Sequence, residues 1–396
     1  MTQLDANGPT YGSCTVTSCP SWSDVPLWDS IAASHEHLVT GSSSTLQRAE
    51  EAFVYVDTAT QFALGACPDI DYQLPAGGSN MLKTLETDSN YIKAALLLDQ
   101  LTNDTTYLDK AVAKYASARQ YFLDPSVPLY TVYVIDDGQS CAQVPRRFYA
   151  SVNGNMIWSG VALAAATGKA SYLDDAVATA QAVSQDLSDA TGVYADLQTD
   201  DDVVEPLIEG MYQLAQQGQT FAEDWLRTNA QAMAAARAPD GAYGRFFDGP
   251  APTAQITEWQ ANGALALAFV AGGLWPADPA TSGANTWKNA VYVADDLPAL
   301  PSSIQFTGQA IAVYGTLGEQ SYQLGQALVS VDGVATFDQT GIHQNESNAF
   351  GPVPDSILFA WRWPTSGAHT LSFQAGPSDA KDGGPFLHVQ GYSYVP

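Results

Sequence analysis

Two acids near the start of a helix pattern carry the first chemistry that can be read in this chain. Over residues 79–101, S-N-M-L-K-T-L-E-T-D-S-N-Y-I-K-A-A-L-L-L-D-Q-L, the apolar positions Tyr91, Ala94, Ala95, Leu98 and Leu101 recur at three- and four-residue spacing. That period predicts a helix. Thr87-Asp88-Ser89 stand before the apolar run as helix-start residues, with Glu86 just ahead of them. A carboxylate there can accept from the free N–H groups of the first turn, which lowers its pKa and fixes its direction. Asp88 therefore reads in two ways, as an ordinary N-cap or as a catalytic carboxylate at the mouth of a helical barrel.

Other residues could supply a second carboxylate or hold a sugar. Asp136 and Asp137 form a loop acid pair near Tyr130 and Tyr133, although Asp-Asp-Gly is also a common turn. Glu205 and Glu209 are four apart at a helix start and share a face, which serves a site or solvent equally well. Tyr91, Tyr133, Asn153, Arg245, Phe247 and Trp259 suit sugar contacts, and each also suits a structural role. His35 and His37 are two apart, so they do not share a helix face and are not read as a metal pair. Nothing specifies a metal or cofactor, a phosphate loop, or a nucleophile–His–acid order.

These residues need a scaffold, and composition bounds it. The chain has 396 residues, 46% hydrophobic and 14% charged, with 42 acids against 15 bases and a net charge of −27. Such a surface repels nucleic acid, anionic membranes and polyanionic substrates, so a neutral partner fits better. The apolar run near 263–275 is too short to span a bilayer. Nine Trp and 19 Tyr offer flat faces for sugar rings as well as core bulk. Cys14, Cys19, Cys67 and Cys141 show no zinc spacing. An even, sparse set suits two disulfides in a secreted protein; of three possible pairings, Cys14–Cys19 with Cys67–Cys141 is expected. Sequons at Asn103 and Asn345 also suit secretion. The polar start holds no signal peptide and reads as a mature chain with an added Met.

In chain order, an irregular arm occupies 1–23, rich in Gly, Pro, Ser, Thr and Cys. Helical pattern begins at Asp24, and a second helix follows the Ser-rich cap 42–44 to about Ala63. A repeat then appears: Leu101-Thr-Asn-Asp-Thr-Thr-Tyr107-Leu-Asp-Lys-Ala111 is similar to Ala166-Thr-Gly-Lys-Ala-Ser-Tyr172-Leu-Asp-Asp-Ala176. Each copy is a turn between two amphipathic helices, and a looser copy runs from Val203 past Gly218 to Ala236. A last helix covers about 257–274. Long loops at 123–146, 188–202 and 237–256 would gather at one end of stacked hairpins and make the site. From about Trp275 alternation replaces the helical period, as in Ser303-Ile-Gln-Phe-Thr, Ala310-Ile-Ala-Val-Tyr and His369-Thr-Leu-Ser-Phe. Short strands between Gly and Pro turns predict a β-sandwich.

The stretch Asn229-Ala through Arg237 and Asp240-Gly241-Ala-Tyr-Gly244 to Gly249-Pro250 resembles a motif of glycoside hydrolase family 76. Thr87-Asp-Ser-Asn-Tyr-Ile-Lys-Ala-Ala-Leu-Leu97 resembles that family's D-D-N-x-W-I-x-x-A-L-L helix start, and Ser151-Val-Asn-Gly-Asn155 is also similar. The resemblance implies an α-1,6-mannanase on a helical-hairpin toroid, an (α/α)6 barrel, over 24–275. Phe306-Thr-Gly308 and Val313-Tyr-Gly315 resemble pieces of the jelly-roll modules appended to secreted fungal proteins, so 276–396 is expected to be an accessory β-sandwich, glycan-binding or merely packed. The family's catalytic pair is two consecutive Asp residues. Here Asp88 matches the acid/base, but Thr87 stands where the nucleophile belongs.

The leading expectation is a secreted glycoside hydrolase acting on a neutral poly- or oligosaccharide with paired carboxylates. A retaining pair lies ~5–5.5 Å apart and an inverting pair ~6.5–9.5 Å. With Thr87 the partner must come from elsewhere, with Glu86, Asp136, Asp137, Glu205 and Glu209 as the candidates, or the chemistry differs, or catalysis is lost. The alternatives are a polysaccharide lyase on the same barrel, for which a −27 chain is a poor host of polyuronate, and a non-catalytic glycan-binding protein. No cofactor, nucleic acid or membrane is expected, and the sequence does not specify oligomeric state.

Overall fold

The computed structural model describes residues 22–60, 62–74, 81–195, 203–238, 241–244, 246–251, 258–274, 286–297, 300–317, 326–336, 342–343, 353–375 and 388–396. The chain divides into two compact units, Met1–Phe148 with Asn155–Thr179, and Tyr149–Gly154 with Ala180–Pro396. The arm at 1–21, with Cys14 and Cys19, lies outside the described residues, as does the sequon at Asn345.

The first unit is built from helical hairpins. Helices α1 (Asp24–Thr40), α2 (Ser43–Thr58), α3 (Leu85–Thr102) and α4 (Thr105–Phe122) lie wholly within it, and α5 (Ala150–Thr167) and α6 (Ala170–Asp186) contribute most of their length. The turn between α3 and α4 shows why the repeated segment bends. Asn103 takes the left-handed conformation at φ 57°, which an asparagine tolerates better than most side chains. Asp104 then caps α4 by accepting from the Thr106 N–H at 3.0 Å. Helix α4 buries one stripe, Ala111, Tyr115, Ala118 and Phe122. Helix α3 differs, since every residue from Leu85 to Leu98 is buried, acids, amides and a lysine included. A buried polar group without a partner costs ~1–3 kcal/mol, so the polar positions of α3 need partners from its neighbours.

One stretch departs from the expected loops. Strands β1 (Leu82–Thr84), β2 (Tyr133–Asp136) and β3 (Cys141–Gln143) form an antiparallel sheet inside the helical unit, so the 123–146 segment holds a hairpin. The alternation is only four residues long there and is masked by the Asp136-Asp137-Gly138 turn. The Cys67–Cys141 disulfide ties this hairpin to the chain before β1. Helix α2 also stops at Thr58, short of Ala63.

The second unit carries the rest. Helices α7 (Glu205–Gln216) and α8 (Thr220–Ala235) flank the positive-φ Gly218, and α9 (Glu258–Leu274) follows, all as the periodicity predicts. Strands β4 (Val291–Leu297), β5 (Ser302–Leu317), β6 (Gln326–Val331), β7 (Val334–Ala335), β8 (Ile342–His343), β9 (Val353–Ala375) and β10 (Val389–Val395) make one seven-stranded sheet. Its order is β4-β10-β5-β9-β6-β7, with β8 pairing β6. Two expected strands, from Ser303 and from Ala310, are one strand with a register shift between Gly308 and Ala310. Ile304, Ile311, Val313, Phe359, Leu371 and Phe373 form its core, and Phe246 from the 246–251 segment joins it. Arg362 on β9 reaches Asp189 at 3.3 Å and Thr191 at 3.1 Å, and the Trp287 indole donates to the Asp248 carbonyl at 3.0 Å.

Candidate active site

The N-terminus of α3 is capped earlier than its sequence suggests. Thr84, extended at φ −125°, accepts from the Glu86 N–H at 3.1 Å, so the cap precedes Asp88 by four positions. Asp88 sits inside the helix instead, with 0% exposure. No hydrogen bond of normal geometry reaches either of its oxygens. Its neighbour is the Lys114 ammonium of α4, 3.2 Å from Oδ1. The same ammonium lies 2.7 Å from Asp71 Oδ2. One lysine thus holds two carboxyls, whose nearest oxygens lie no more than about 6 Å apart.

Electrostatics separates the members of this triad. Burial pushes the Asp88 carboxyl well above the usual carboxylate range; Lys114 pulls against that shift and Asp71 adds to it. A lowered value was expected from a helix-start carboxylate, and desolvation outweighs the first-turn N–H groups. Burial alone would lower the Lys114 pKa, yet Asp88 and Asp71 hold it above the ordinary lysine range. The arrangement is a fully buried acid, its pKa raised, that shares one lysine ammonium with a second acid. Thr87, by contrast, is a closed hydroxyl. It lies 2.5 Å from the Ser23 oxygen, and Ser23 donates its one proton to the Tyr72 carbonyl at 2.8 Å. Thr87 is therefore the donor to Ser23.

Helix α3 presents different groups to its two sides. At about 100° per residue, Glu86, Asn90 and Lys93 fall together, opposite Asp88 and Tyr91. On the first side Asn155 of α5 donates to Asn90 at 2.7 Å and accepts from Lys93 at 3.3 Å, and Lys93 lies 5.4 Å from the Trp158 ring centre. On the second side Tyr91 donates to Asp57 of α2 at 2.5 Å and packs 4.6 Å from the Phe53 ring. Asp57 also pairs with Lys110, one turn before Lys114 on α4. An open cavity of about 430 Å³ lies on this side, with Asp57, Asp71, Tyr91 and Lys114 in its lining.

The remaining candidates are placed as follows. Glu86 is buried beside Thr84, whose hydroxyl approaches its carboxylate at 3.4 Å. Asp136 is buried and fully engaged. Against the upward push of burial, the N–H groups of Ala66, Cys67 and Gly138 and the Lys83 ammonium hold its pKa down. Gly65 lies at φ +118°, and a Cβ there would meet Asp136 Oδ2 at 2.3 Å, so only glycine permits this approach. Asp137 is exposed and accepts from the Gln139 and Ser140 N–H groups, a turn acid with a lowered pKa. Tyr133 is buried with the Arg147 guanidinium 5.0 Å from its ring centre. In the second unit, Asn153 is buried and donates to the Tyr149 carbonyl, Phe247 is buried, Glu205 is exposed and Glu209 is half-buried. Arg245 and the side chain of Trp259 lie outside the described residues.

Sequence reasoning missed Asp71, Lys114, Asp57 and Ser23. Lys114 had a signal, because it stands three residues after Ala111 and four before Ala118, at the edge of the buried stripe of α4. Asp71 had none, since it belongs to an irregular segment fixed by long-range contacts. The fully buried Lys83 donates to the Cys67 and Ile70 carbonyls at 2.6 and 2.7 Å, which fixes the backbone next to Asp71.

No family model matches this chain, and no curated protein matches it in sequence. Solved structures do match it in three dimensions. The family 76 α-1,6-mannanase of Salegentibacter sp. is 19% identical, with 68% of this chain and 79% of that chain covered at a TM-score of 0.57. A variant of that enzyme changed at two consecutive aspartates is inactive and was solved in complex with α-1,6-mannotetrose. The family 76 α-mannanase of Bacteroides thetaiotaomicron is 18% identical, covering 67% and 69% at a TM-score of 0.52. A D-mannose isomerase is 15% identical, covering 68% and 76% at 0.51, so this fold also serves a different reaction. The helix-rich part of the chain has the (α/α)6 fold of the family 76 mannanases, followed by a separate C-terminal β-sheet region.

Proposed function

We propose that the chain is a glycoside hydrolase acting on a neutral, α-mannan-like glycan. The observation that carries this reading is the Asp71–Lys114–Asp88 triad beside an open cavity. Asp88, its pKa raised by burial, has the character of a general acid. Asp71 replaces, from a loop, the carboxylate that Thr87 cannot supply. Titratable groups with strongly shifted pKa values beside a cleft are frequent at catalytic sites. A net charge of −27 favours a neutral substrate over a polyanion. The Cys67–Cys141 disulfide supports a secreted location, and the β region is read as a jelly-roll accessory module to a barrel spanning 24–275.

Two observations favour a second reading, a glycan-binding protein without turnover. Asp88 has no exposed surface, and Thr87 spends its hydroxyl proton on Ser23. Incubation with a panel of neutral glycans, α-1,6-mannan included, separates the two. Hydrolysis predicts new reducing ends, and loss of their release in both Asp88→Asn and Asp71→Asn. Binding by calorimetry with no new reducing ends from a folded chain supports the second reading and rules out the first.

A further inference from the structure

We propose that the exposed face of α9 is where two copies of this chain pair. Leu265, Ala268, Phe269 and Gly272 follow one another at three- and four-residue spacing, so they form one stripe along the helix. All four are exposed, Leu265 to 59% and Phe269 to 74%. The opposite side is packed. Ala264, Leu267 and Ala271 are buried, and a Cβ at Gly263 would meet Val204 and Phe247 at 3.1 Å. From Trp259 to Leu274 the helix carries no charged residue. Helix α8 differs, since its exposed positions are Thr220, Asp224 and Gln231. A helix that is apolar on every side is ordinarily covered on every side.

The occupant that fits is a second α9. Helices α1, α3, α5 and α7 are each followed, after two or three residues, by the second helix of a hairpin. Among the described residues no α-helix follows α9, and strands take over from β4. A two-fold axis across the stripe lays another α9 antiparallel to the first, the direction of a hairpin partner. The stripe is also self-complementary in shape. Phe269 projects from it, and Gly272 leaves a notch three residues on, where a Cβ would meet nothing within 4 Å. In the antiparallel pair, Phe269 of each copy lies over Gly272 of the other. No charge enters the contact, which is what two chains of net charge −27 require. The stripe is smaller than the ~800 Å² per partner of a standard interface, so the pairing is weak and reversible. None of these residues belongs to the Asp71–Lys114–Asp88 triad, and the inference is independent of the proposed hydrolase.

The test is sedimentation equilibrium and light scattering of the full chain from about 1 μM to about 1 mM, at low and at high salt. The expected result is a mean mass that rises from 42.0 kDa toward twice that value and no further. Pairing should be tighter at high salt, which screens the repulsion between two acidic chains. Phe269→Ala should weaken pairing at least about tenfold, as truncation of a central aromatic anchor does. Gly272→Leu separates shape from stickiness. It adds apolar surface and favours the helix, so a non-specific patch would associate more strongly. A filled notch instead excludes Phe269 and should weaken pairing by a similar factor. Both positions are exposed, so circular dichroism and melting temperature should match the wild type. A constant mass of 42.0 kDa across the range overturns the proposal, and so does growth beyond the dimer. Pairing that either substitution leaves unchanged, or that Gly272→Leu strengthens, overturns it as well.

Discussion

Replacing Lys114 by Met isolates the interaction on which the site depends. The lysine side chain is 13% exposed, Asp71 8% and Asp88 0%, so none of the three groups has water as an adequate substitute partner. Removing one member of a buried ion pair costs ~3–5 kcal/mol, because the charge left behind stays desolvated. That is the expected loss of unfolding free energy at pH 7. The loss has a pH signature. Without the ammonium the two acids take up a proton in the folded state that the unfolded chain does not hold. Above the ordinary carboxylate range, the variant then regains ~1.4 kcal/mol for each pH unit of acidification. Between pH 7 and pH 5 the deficit should shrink by about 2–3 kcal/mol. Adding Asp71→Asn to Lys114→Met should recover most of the remainder. Urea unfolding followed by circular dichroism at both pH values measures this. A deficit under about 1 kcal/mol at pH 7, or one of equal size at pH 5, would refute the buried triad.

Three further outcomes follow from Asp248 and from the disulfide. Asp248 has 0% exposure and no hydrogen bond to its carboxyl oxygens; burial first, and then Asp189, push its pKa well up, while Arg362 pulls against them. With Asp88 it makes the folded state bind more protons than the unfolded chain, so stability should fall as pH rises from about 4 toward neutrality. Asp248→Asn should flatten that slope in a series of melting temperatures, and an unchanged slope counts against the assignment. Reduction of Cys67–Cys141, which closes a loop with a sequence separation of 74, should cost roughly 4 kcal/mol and loosen the segment that carries Asp71. Thiol titration of the unfolded, unreduced chain should find Cys67 and Cys141 oxidised, and a free thiol at either contradicts the disulfide.

Much of the helical architecture was legible because its signals are local. The repeat around Tyr107 and Tyr172 marks two hairpin turns, and the turn at Gly218 and the period of 258–274 mark the later helices. The switch to alternation beyond Trp275 marks the β region, although a register shift hid the fact that two strand patterns form one strand. The small sheet of β1, β2 and β3 was missed because its strands are three to four residues long and are joined by long-range pairing and a disulfide. Asp88 was singled out by its position, yet its surroundings were misjudged. The pattern shows an acid near a helix start but not that Thr84 caps the helix, nor that Lys114 meets Asp88 across the hairpin. Asp136 and Asp137 stood out as a pair, and folding sends them to different tasks: one is clamped by backbone N–H groups, the other sits in an exposed turn.

The central claim is that Asp88 and Asp71 act together as acid and carboxylate on a neutral glycan. The most direct measurement is the time course of product release from α-1,6-mannotetrose by the wild-type chain, Asp88→Asn and Asp71→Asn at pH 5, each with its melting temperature. Asn is close in shape to a protonated carboxyl, so Asp88→Asn should keep the fold. The account predicts turnover by the wild type and a loss of about two to four powers of ten in either variant, the range of general acid–base effects. Full turnover by folded Asp88→Asn contradicts it, and so does a wild-type chain that releases no product while remaining folded.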